Sequence, residues 1–214
     1  MKKVIKLAIA DNHPILRQGL ISLLHTNKDF KVIAEASNGN ELLAIFAKLE
    51  QLPDIAILDI NMPEKDGYST AQEITAIYSS VKIIALSFHE NEFNIIKMIK
   101  NGAVSYLAKG STGIVDLVKA IEGVHYKGYY YSDVFTGELF EKAINTKLPE
   151  FTNQELQYLK YCCDGLSDKE IADKMFLSPR TVEYYYAGIS NKLGISKRIG
   201  LVAYALKTGI IPLQ

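Results

Sequence analysis

Apolar and polar positions alternate in a regular rhythm over residues 1–124. Short runs rich in β-branched and other apolar residues fall at 4–10, 31–36, 54–59, 82–87 and 104–108. Runs this short and this apolar mark strands covered on both faces of a parallel sheet. Stretches of helical period lie between and after them, at about 14–26, 39–50, 67–78, 91–101 and 112–123. Leu16, Leu20, Leu23 and Leu24 stand at i, i+4, i+7 and i+8, the spacing of a stripe that faces the core. Ile95, Ile96 and Ile99 repeat the device near residue 97. Five strands alternating with five helices predict an α/β domain with a parallel sheet between two helical layers. Right-handed crossovers leave the flavodoxin-like strand order 2-1-3-4-5 as the natural topology at this length.

The rhythm changes after residue 124. Tyr126, Tyr129, Tyr130 and Tyr131 sit among Gly123, Gly128 and Gly137, and the pattern breaks again over 145–149. Residues 125–148 therefore read as an interdomain connector with a short helix at about 132–144, its tyrosines packing on the preceding helix. From 149 to 214 the pattern is helical throughout. Thr152 with Glu155, and Ser167 with Glu170, have capping-box spacing, and Ser178 precedes Pro179 as an N-cap precedes a first-turn proline. Gly194 ends the third helix and Ser196 begins the fourth. Four short helices with a three-residue turn near Leu177 predict a second, all-α domain of helix-turn-helix type.

Composition narrows this picture. A chain of 214 residues, 48% hydrophobic, has the length and apolar content for two small domains. Its formal net charge of zero decides nothing about nucleic acid until the charge is localised. The two cysteines, Cys162 and Cys163, are adjacent in a helical pattern, which excludes a disulfide framework and reads as core packing. No apolar run approaches the roughly 18 residues of a membrane span, and none has the form of a signal peptide. The expectation is a reduced, cytoplasmic protein without membrane partners.

In an open parallel sheet, ligands bind beyond the carboxyl ends of the strands, beside the reversal in strand order. That rule gathers Asp11 and Asn12 from the first strand, Asp59 from the third, Ser87 from the fourth and Lys109 from the fifth. An aspartate can take a phosphoryl group as a nucleophile, provided that cations and donors are placed in advance for the phosphoryl oxygens. Mg2+ suits this role with oxygen ligands: carboxylates from Asp11 and Asp59, and the backbone carbonyl of Asn61. Lys109 would neutralise one phosphoryl oxygen and Ser87 would donate to another. His13 reads as a helix-start residue and not a ligand, since no second His or Cys stands at metal spacing.

Asp11-Asn12-His13-Pro14, Leu58-Asp59-Ile60-Asn61-Met62-Pro63 with Gly67, Ser87, and Tyr106-Leu107-Ala108-Lys109 together resemble the receiver domain of two-component response regulators. The resemblance runs through residues 1–124 in order. It implies phosphotransfer to Asp59 from a histidine kinase, movement of Ser87 toward the phosphate and inward rotation of Tyr106. That would remodel the face made by the fourth helix, fifth strand and fifth helix. Plain packing is an equal alternative for Tyr106. Three positions depart from the family pattern. Asn12 replaces the second acid of the first strand; its amide oxygen can ligate Mg2+ but brings no charge, so weaker Mg2+ binding is expected. Gly110 follows Lys109 where many receivers have proline, which argues against a cis bond there. Phe88 is bulkier than the usual small residue and restricts access to the phosphate.

Phe151-Thr152-Asn153-Gln154-Glu155, Gly165-Leu166-Ser167-Asp168-Lys169-Glu170-Ile171-Ala172, Leu177-Ser178-Pro179-Arg180-Thr181-Val182-Glu183 and Lys192-Leu193-Gly194 resemble the LuxR-type helix-turn-helix. With the receiver, the chain is similar to the NarL/FixJ response regulators. The resemblance implies a recognition helix at about 178–193 in the DNA major groove, and a homodimer when phosphorylated. Residues 149–214 carry eight Lys/Arg and seven Asp/Glu, whereas 178–214 carry five Lys/Arg against Glu183 alone. The basic excess therefore lies in the half that would meet phosphates. The expected DNA contacts are Lys169, Arg180, Thr181, Glu183, Tyr184, Ala187, Lys192, Lys197 and Arg198. Val182, Ile189 and Leu193 are core by spacing, and Tyr185 and Tyr186 read as packing.

Two other classes compete. An aspartyl-phosphate hydrolase needs a second acid two residues after its nucleophile, and Asn61 stands there, so turnover of an external substrate is not expected. The remaining alternative is a receiver that signals by protein contact, kept open by a recognition face poor in basic residues.

Overall fold

The computed structural model describes residues 4–88, 90–145, 148–208 and 210–211, the side chain of Lys207 excepted. The chain divides into two compact units, residues 1–146 and 147–214.

In the first unit, strands β1 (Ile5–Ala10), β2 (Phe30–Ala36), β3 (Ile55–Leu58), β4 (Lys82–Ser87) and β5 (Ala103–Ala108) pair in parallel in the order β2-β1-β3-β4-β5. This is the flavodoxin-like order that the alternation predicts. The intervening helices are α1 (Pro14–His25), α2 (Gly39–Phe46), α3 (Gly67–Ile77), α4 (Glu92–Lys100) and α5 (Ile114–Lys127). Two apolar cores form, one on each face of the sheet. Leu58, Tyr106, Ala85 and Phe46 lie in one; Ile9, Ile57, Leu107 and Leu117 lie in the other. Successive strand residues point to opposite faces, so Ile57 and Leu58, or Tyr106 and Leu107, serve different cores.

The stripe expected on α1 is only half used. Leu24 is buried and Leu20 packs on the core, but Leu16 and Leu23 are exposed. Together with Ile15 they line an open apolar groove against Leu86, Ile114 and Leu117.

Residues 125–148, expected to form a connector, behave differently over most of their length. Helix α5 runs on to Lys127, and Gly128 stops it in the left-handed conformation at φ 89°. A further helix, α6 (Gly137–Asn145), packs on α4 within the first unit. Phe135 and Ala143 are fully buried there, with Leu139 and Phe140 half-buried beside them. Lys142 forms an ion pair with Glu92 of α4. Periodicity showed that a helix forms here but not that its apolar face has a docking place on the receiver.

Gly67 shows how closely the backbone is packed near Asp59. A Cβ at that position would lie 2.2 Å from the Asp59 carbonyl oxygen and 2.7 Å from Ile60 Cα. The Gly67 amide donates to the Ile60 carbonyl at 2.8 Å. Gly67→Ala is therefore expected to lower unfolding free energy by about 1–3 kcal/mol, read by urea denaturation, and to slow labelling of Asp59. An unchanged unfolding midpoint would contradict this close approach.

The second unit has helices α7 (Asn153–Cys163), α8 (Asp168–Met175), α9 (Pro179–Leu193) and α10 (Arg198–Lys207). Both expected capping boxes form, at Thr152/Glu155 and Ser167/Glu170, and Ser178 caps α9 with Pro179 in its first turn. Tyr158, Leu159, Cys162, Ile171, Val182, Ile189 and Leu201 make the core. Cys162 is buried and Cys163 half-buried, as their helical setting predicts. No cis peptide occurs among the described residues.

Candidate functional site

The carboxyl ends of β1, β3, β4 and β5 bring Asp11, Asp59, Ser87 and Lys109 into one crevice. The Lys109 Nζ lies 2.8 Å from Asp11 Oδ2 and 2.9 Å from Asp59 Oδ2, and its side chain is only 2% exposed. Burial raises the Asp59 carboxyl above its ordinary range; Lys109 opposes the rise and the charge of Asp11 adds to it. Two carboxylates around one ammonium leave a net negative, poorly solvated site. That arrangement favours an incoming cation.

Asp11 is held by its neighbours. Its Oδ1 accepts from the His13 amide at 2.9 Å, and its carbonyl accepts from the Arg17 guanidinium at 2.6 Å. The Asn12 amide, oriented to satisfy its surroundings, donates from Nδ2 to the Asn61 carbonyl at 3.0 Å and Asp59 Oδ2 at 3.1 Å; His13 Nδ1 lies 2.9 Å away. Two oxygens and an imidazole nitrogen thus surround the Asn12 nitrogen. Ligand atoms of Asp11, His13 and Asp59 all lie within 4.8 Å of one another. This donor set fits a divalent cation; the Asn61 carbonyl, also expected as a ligand, lies beside it, whereas Asn12 turns its nitrogen and not its oxygen toward these groups.

His13 is the residue that the sequence reading set aside. It does stand before the first residue of α1, without a side-chain capping bond. Its ring nevertheless turns into the crevice, with Nδ1 3.1 Å from Asp11 Oδ1 and 3.9 Å from Asp59 Oδ2. Residue spacing does not reveal this, because the partners of His13 are carboxylates at the ends of two strands. Phe88, exposed at the mouth, stacks edge-on to His13 at 6.3 Å between centroids and lies 5.3 Å from Lys109 Nζ.

Ser87 and Tyr106 are both fully buried. Burial pushes the Tyr106 phenol well above its usual range, partly offset by a hydrogen bond with Ser87. The Tyr106 carbonyl accepts from Ser132 Oγ at 2.6 Å, and Ser132 Oγ accepts from the Phe135 amide at 3.1 Å. Tyr106 and Phe135 share the same core. The segment before α6 is thus bonded to the strand that carries Tyr106.

On α9, the exposed positions Arg180, Glu183, Tyr184, Ala187 and Asn191 form one stripe at helical spacing. Tyr184 is 75% exposed. The Thr181 hydroxyl is 2.9 Å from that of Ser178, and Thr181 N–H bonds Ser178 Oγ at 3.2 Å. Lys169 and Lys197 are exposed. Lys192, also exposed, and the half-buried Arg198 form ion pairs with other residues of the unit. Lys192 pairs with Glu155 at 2.7 Å and donates to the Glu150 carbonyl at 2.9 Å. Burial acts to raise the Glu155 carboxyl, but bonds from Lys192 and Thr152 overcome it and hold the group low. Arg198 pairs with Asp168 at 2.8 Å and bonds the Leu166 carbonyl. Tyr185 bonds Gln154 at 2.6 Å and Tyr186 bonds the Ser196 carbonyl, consistent with packing roles.

If the Asn12 amide crowds the cation position without adding charge, a carboxylate there should help. Asn12→Asp is expected to raise Mg2+ affinity about tenfold, equivalent to ~1.4 kcal/mol, by calorimetric titration. An unchanged affinity would remove Asn12 from the cation's surroundings.

Residues 7–122 match the family described as the response regulator receiver domain, and residues 149–205 match the bacterial regulatory proteins of the luxR family. The transcriptional regulatory protein LnrK of Bacillus subtilis (strain 168) is 31% identical over 220 residues, covering 97% of this chain and 99% of that protein. The oxygen regulatory protein NreC of Staphylococcus epidermidis is 32% identical over 219 residues, covering 96% and 99%. Among solved structures, RcsB of Salmonella enterica serovar Typhimurium bound to a promoter aligns with a TM-score of 0.63 at 24% identity, covering 96% of this chain and 99% of that one. That last likeness is one of fold.

Proposed function

The chain belongs to the NarL/FixJ-type response regulators, which join a receiver domain to a LuxR-type helix-turn-helix domain, and from that premise we propose that phosphorylation of Asp59 by a histidine kinase controls DNA binding by the C-terminal unit. The observation that carries the reading is the buried bridge of Lys109 between Asp11 and Asp59 at the reversal in strand order. An Asp59 carboxylate oxygen attacks the phosphorus of the kinase's phosphohistidine, the P–N bond breaks, and the imidazole leaves with a proton taken from solvent. Lys109 stays beside Asp59 and neutralises one phosphoryl oxygen, while Asp11 holds the lysine in place. Ser87 exchanges its bond with Tyr106 for one to the phosphoryl group. Mg2+, when bound, would supply the further positive charge that the transferred group needs; Asp11, Asp59 and the Asn61 carbonyl would hold it, joined by the Asn12 amide oxygen once that side chain turns it inward. Hydrolysis of the acyl phosphate resets the switch, and no external substrate is turned over.

The C-terminal unit places α9 in the major groove. Glu183 accepts from a cytosine amino group, Ala187 meets a thymine methyl and Tyr184 touches base or backbone. Arg180, Thr181, Lys169 and Lys197 bind phosphates. Lys192 and Arg198 hold the domain together and contribute less. Few phosphate contacts per subunit make binding depend on a phosphorylated homodimer. No described helix is long and apolar enough to cross a membrane, and DNA as partner places the protein in the cytoplasm.

Gel-shift titration of genomic fragments, with and without acetyl phosphate, tests this function; a phosphorylation-enhanced shift is expected. Arg180→Ala and Lys197→Ala should each weaken binding across all sequences and reduce the salt slope by about 1. Equal salt slopes in wild type and variants would remove both from the interface. A second reading draws on the near-neutral stripe of α9, which carries one cation, Arg180, and one acid, Glu183. It makes the C-terminal unit a protein-contact module, and absence of any shifted fragment would favour it.

A further inference from the structure

The cation expected at Asp59 is a magnesium ion, yet the crevice offers it an unusual donor. The strand that ordinarily supplies two acids supplies one here, Asp11, followed by the neutral Asn12 and then His13. The His13 Nδ1 is 3.1 Å from Asp11 Oδ1. Two ligands about 2.1 Å from one ion and at right angles to each other lie about 3.0 Å apart. Opposed ligands of the same ion lie about 4.2 Å apart. The 3.9 Å from His13 Nδ1 to Asp59 Oδ2 falls between these limits. One ion can therefore reach an imidazole nitrogen and two carboxylates after small side-chain adjustments. Lys109 pairs with the other oxygen of Asp11, Oδ2, and with Asp59 Oδ2 itself, so a cation would share that one carboxylate oxygen with the ammonium.

Asn12 lies beside the same group of atoms. Its Nδ2 lies within 3.1 Å of the Asn61 carbonyl, Asp59 Oδ2 and His13 Nδ1. The Asn12 amide borders the position that a cation would share with these atoms, so a bound ion requires that side chain to swing aside. Two of those atoms are oxygens and the third is nitrogen.

We propose that this receiver binds its divalent cation through the His13 imidazole as well as Asp11 and Asp59, and therefore prefers first-row transition ions such as Mn2+ and Co2+ to Mg2+. The inference rests on the crevice being a cation site. Mg2+ favours carboxylate, carbonyl and water oxygens, and loses by the exchange of a carboxylate for an amide. Imidazole suits the later divalent ions, whose affinity rises along the first row. Half-exposed at the crevice mouth, the His13 ring can settle onto an ion without disturbing the core.

Mn2+ titration of the full chain, followed by electron paramagnetic resonance, tests this without any phosphoryl donor. Mn2+ is expected to bind at least tenfold more tightly than Mg2+ in competition. Pulsed spectra of the Mn2+ complex should show coupling to an imidazole nitrogen. His13→Ala should abolish that coupling and weaken Mn2+ and Co2+ about tenfold while changing Mg2+ less than twofold. His13→Asn, which keeps a good helix-start residue, should give the same result if the alanine variant unfolds. Absence of nitrogen coupling, or equal losses for Mn2+ and Mg2+, overturns the preference while leaving the cation site itself intact. Failure of both ions to bind overturns the preference and the cation site together. Labelling of Asp59 by acetyl phosphate is scored separately, so the phosphorylation reading stands or falls on its own measurement.

Discussion

Asp59→Ala is expected to reduce phosphate incorporation from acetyl phosphate to background, read by intact-mass spectrometry. Only a carboxylate of this crevice has both a nearby ammonium and access to the strand ends. Asp11 is the rival, since it too touches Lys109, at 2.8 Å. Its other oxygen, however, accepts from the His13 backbone. Residual labelling at wild-type rate would move the nucleophile to Asp11. Asp59→Asn should abolish labelling equally and should not cost stability. The fold raises the Asp59 carboxyl, chiefly by burial. A raised acid favours folding while protonated, and that contribution is lost as pH rises through its folded value. At neutral pH the ionised group is therefore a burden that the amide removes, while Lys109 keeps Asp11 as partner. A clear fall in the thermal midpoint of Asp59→Asn would contradict this account.

Phe135→Ala is expected to cost about 3–5 kcal/mol of receiver stability, the usual range for deleting a fully buried aromatic ring. Phe135 is fully buried against the core that holds Tyr106, and its amide is tied through Ser132 Oγ to the Tyr106 carbonyl. Urea denaturation would give the loss, and hydrogen exchange should rise along α6 before it rises along α4. A loss under about 1 kcal/mol would mean that Leu139, Phe140 and Ala143 dock α6 without it.

The receiver was legible because its buried parallel strands are short apolar runs with helices of clear period between them. Strand order and the meeting of Asp11, Asp59, Ser87 and Lys109 followed from general rules of topology, not from any local pattern. Capping residues placed the starts of α7, α8 and α9, whereas α10 begins at Arg198 without a side-chain cap and not at Ser196. What escaped was set by partners distant in sequence. Lys192 meets Glu155 across 37 positions and Arg198 meets Asp168 across 30, and no charge count distinguishes such pairs from exposed DNA contacts. Leu16 and Leu23 have core spacing, but only packing reveals that they face a groove. His13 joined the crevice through a backbone bend, which residue spacing does not encode.

The docking of α6 on α4 also sets a competitive threshold. Only nine residues, 128–136, separate the end of α5 from the start of α6. A short tether of this kind holds a segment at an effective concentration of roughly millimolar. A free protein that seeks the same surface of α4 at about micromolar concentration must then bind it about a thousandfold more tightly than α6 does. The covered face is thereby insulated from weak, adventitious partners, and any loosening of α6 by events at Tyr106 would act as a gain control on whatever binds there.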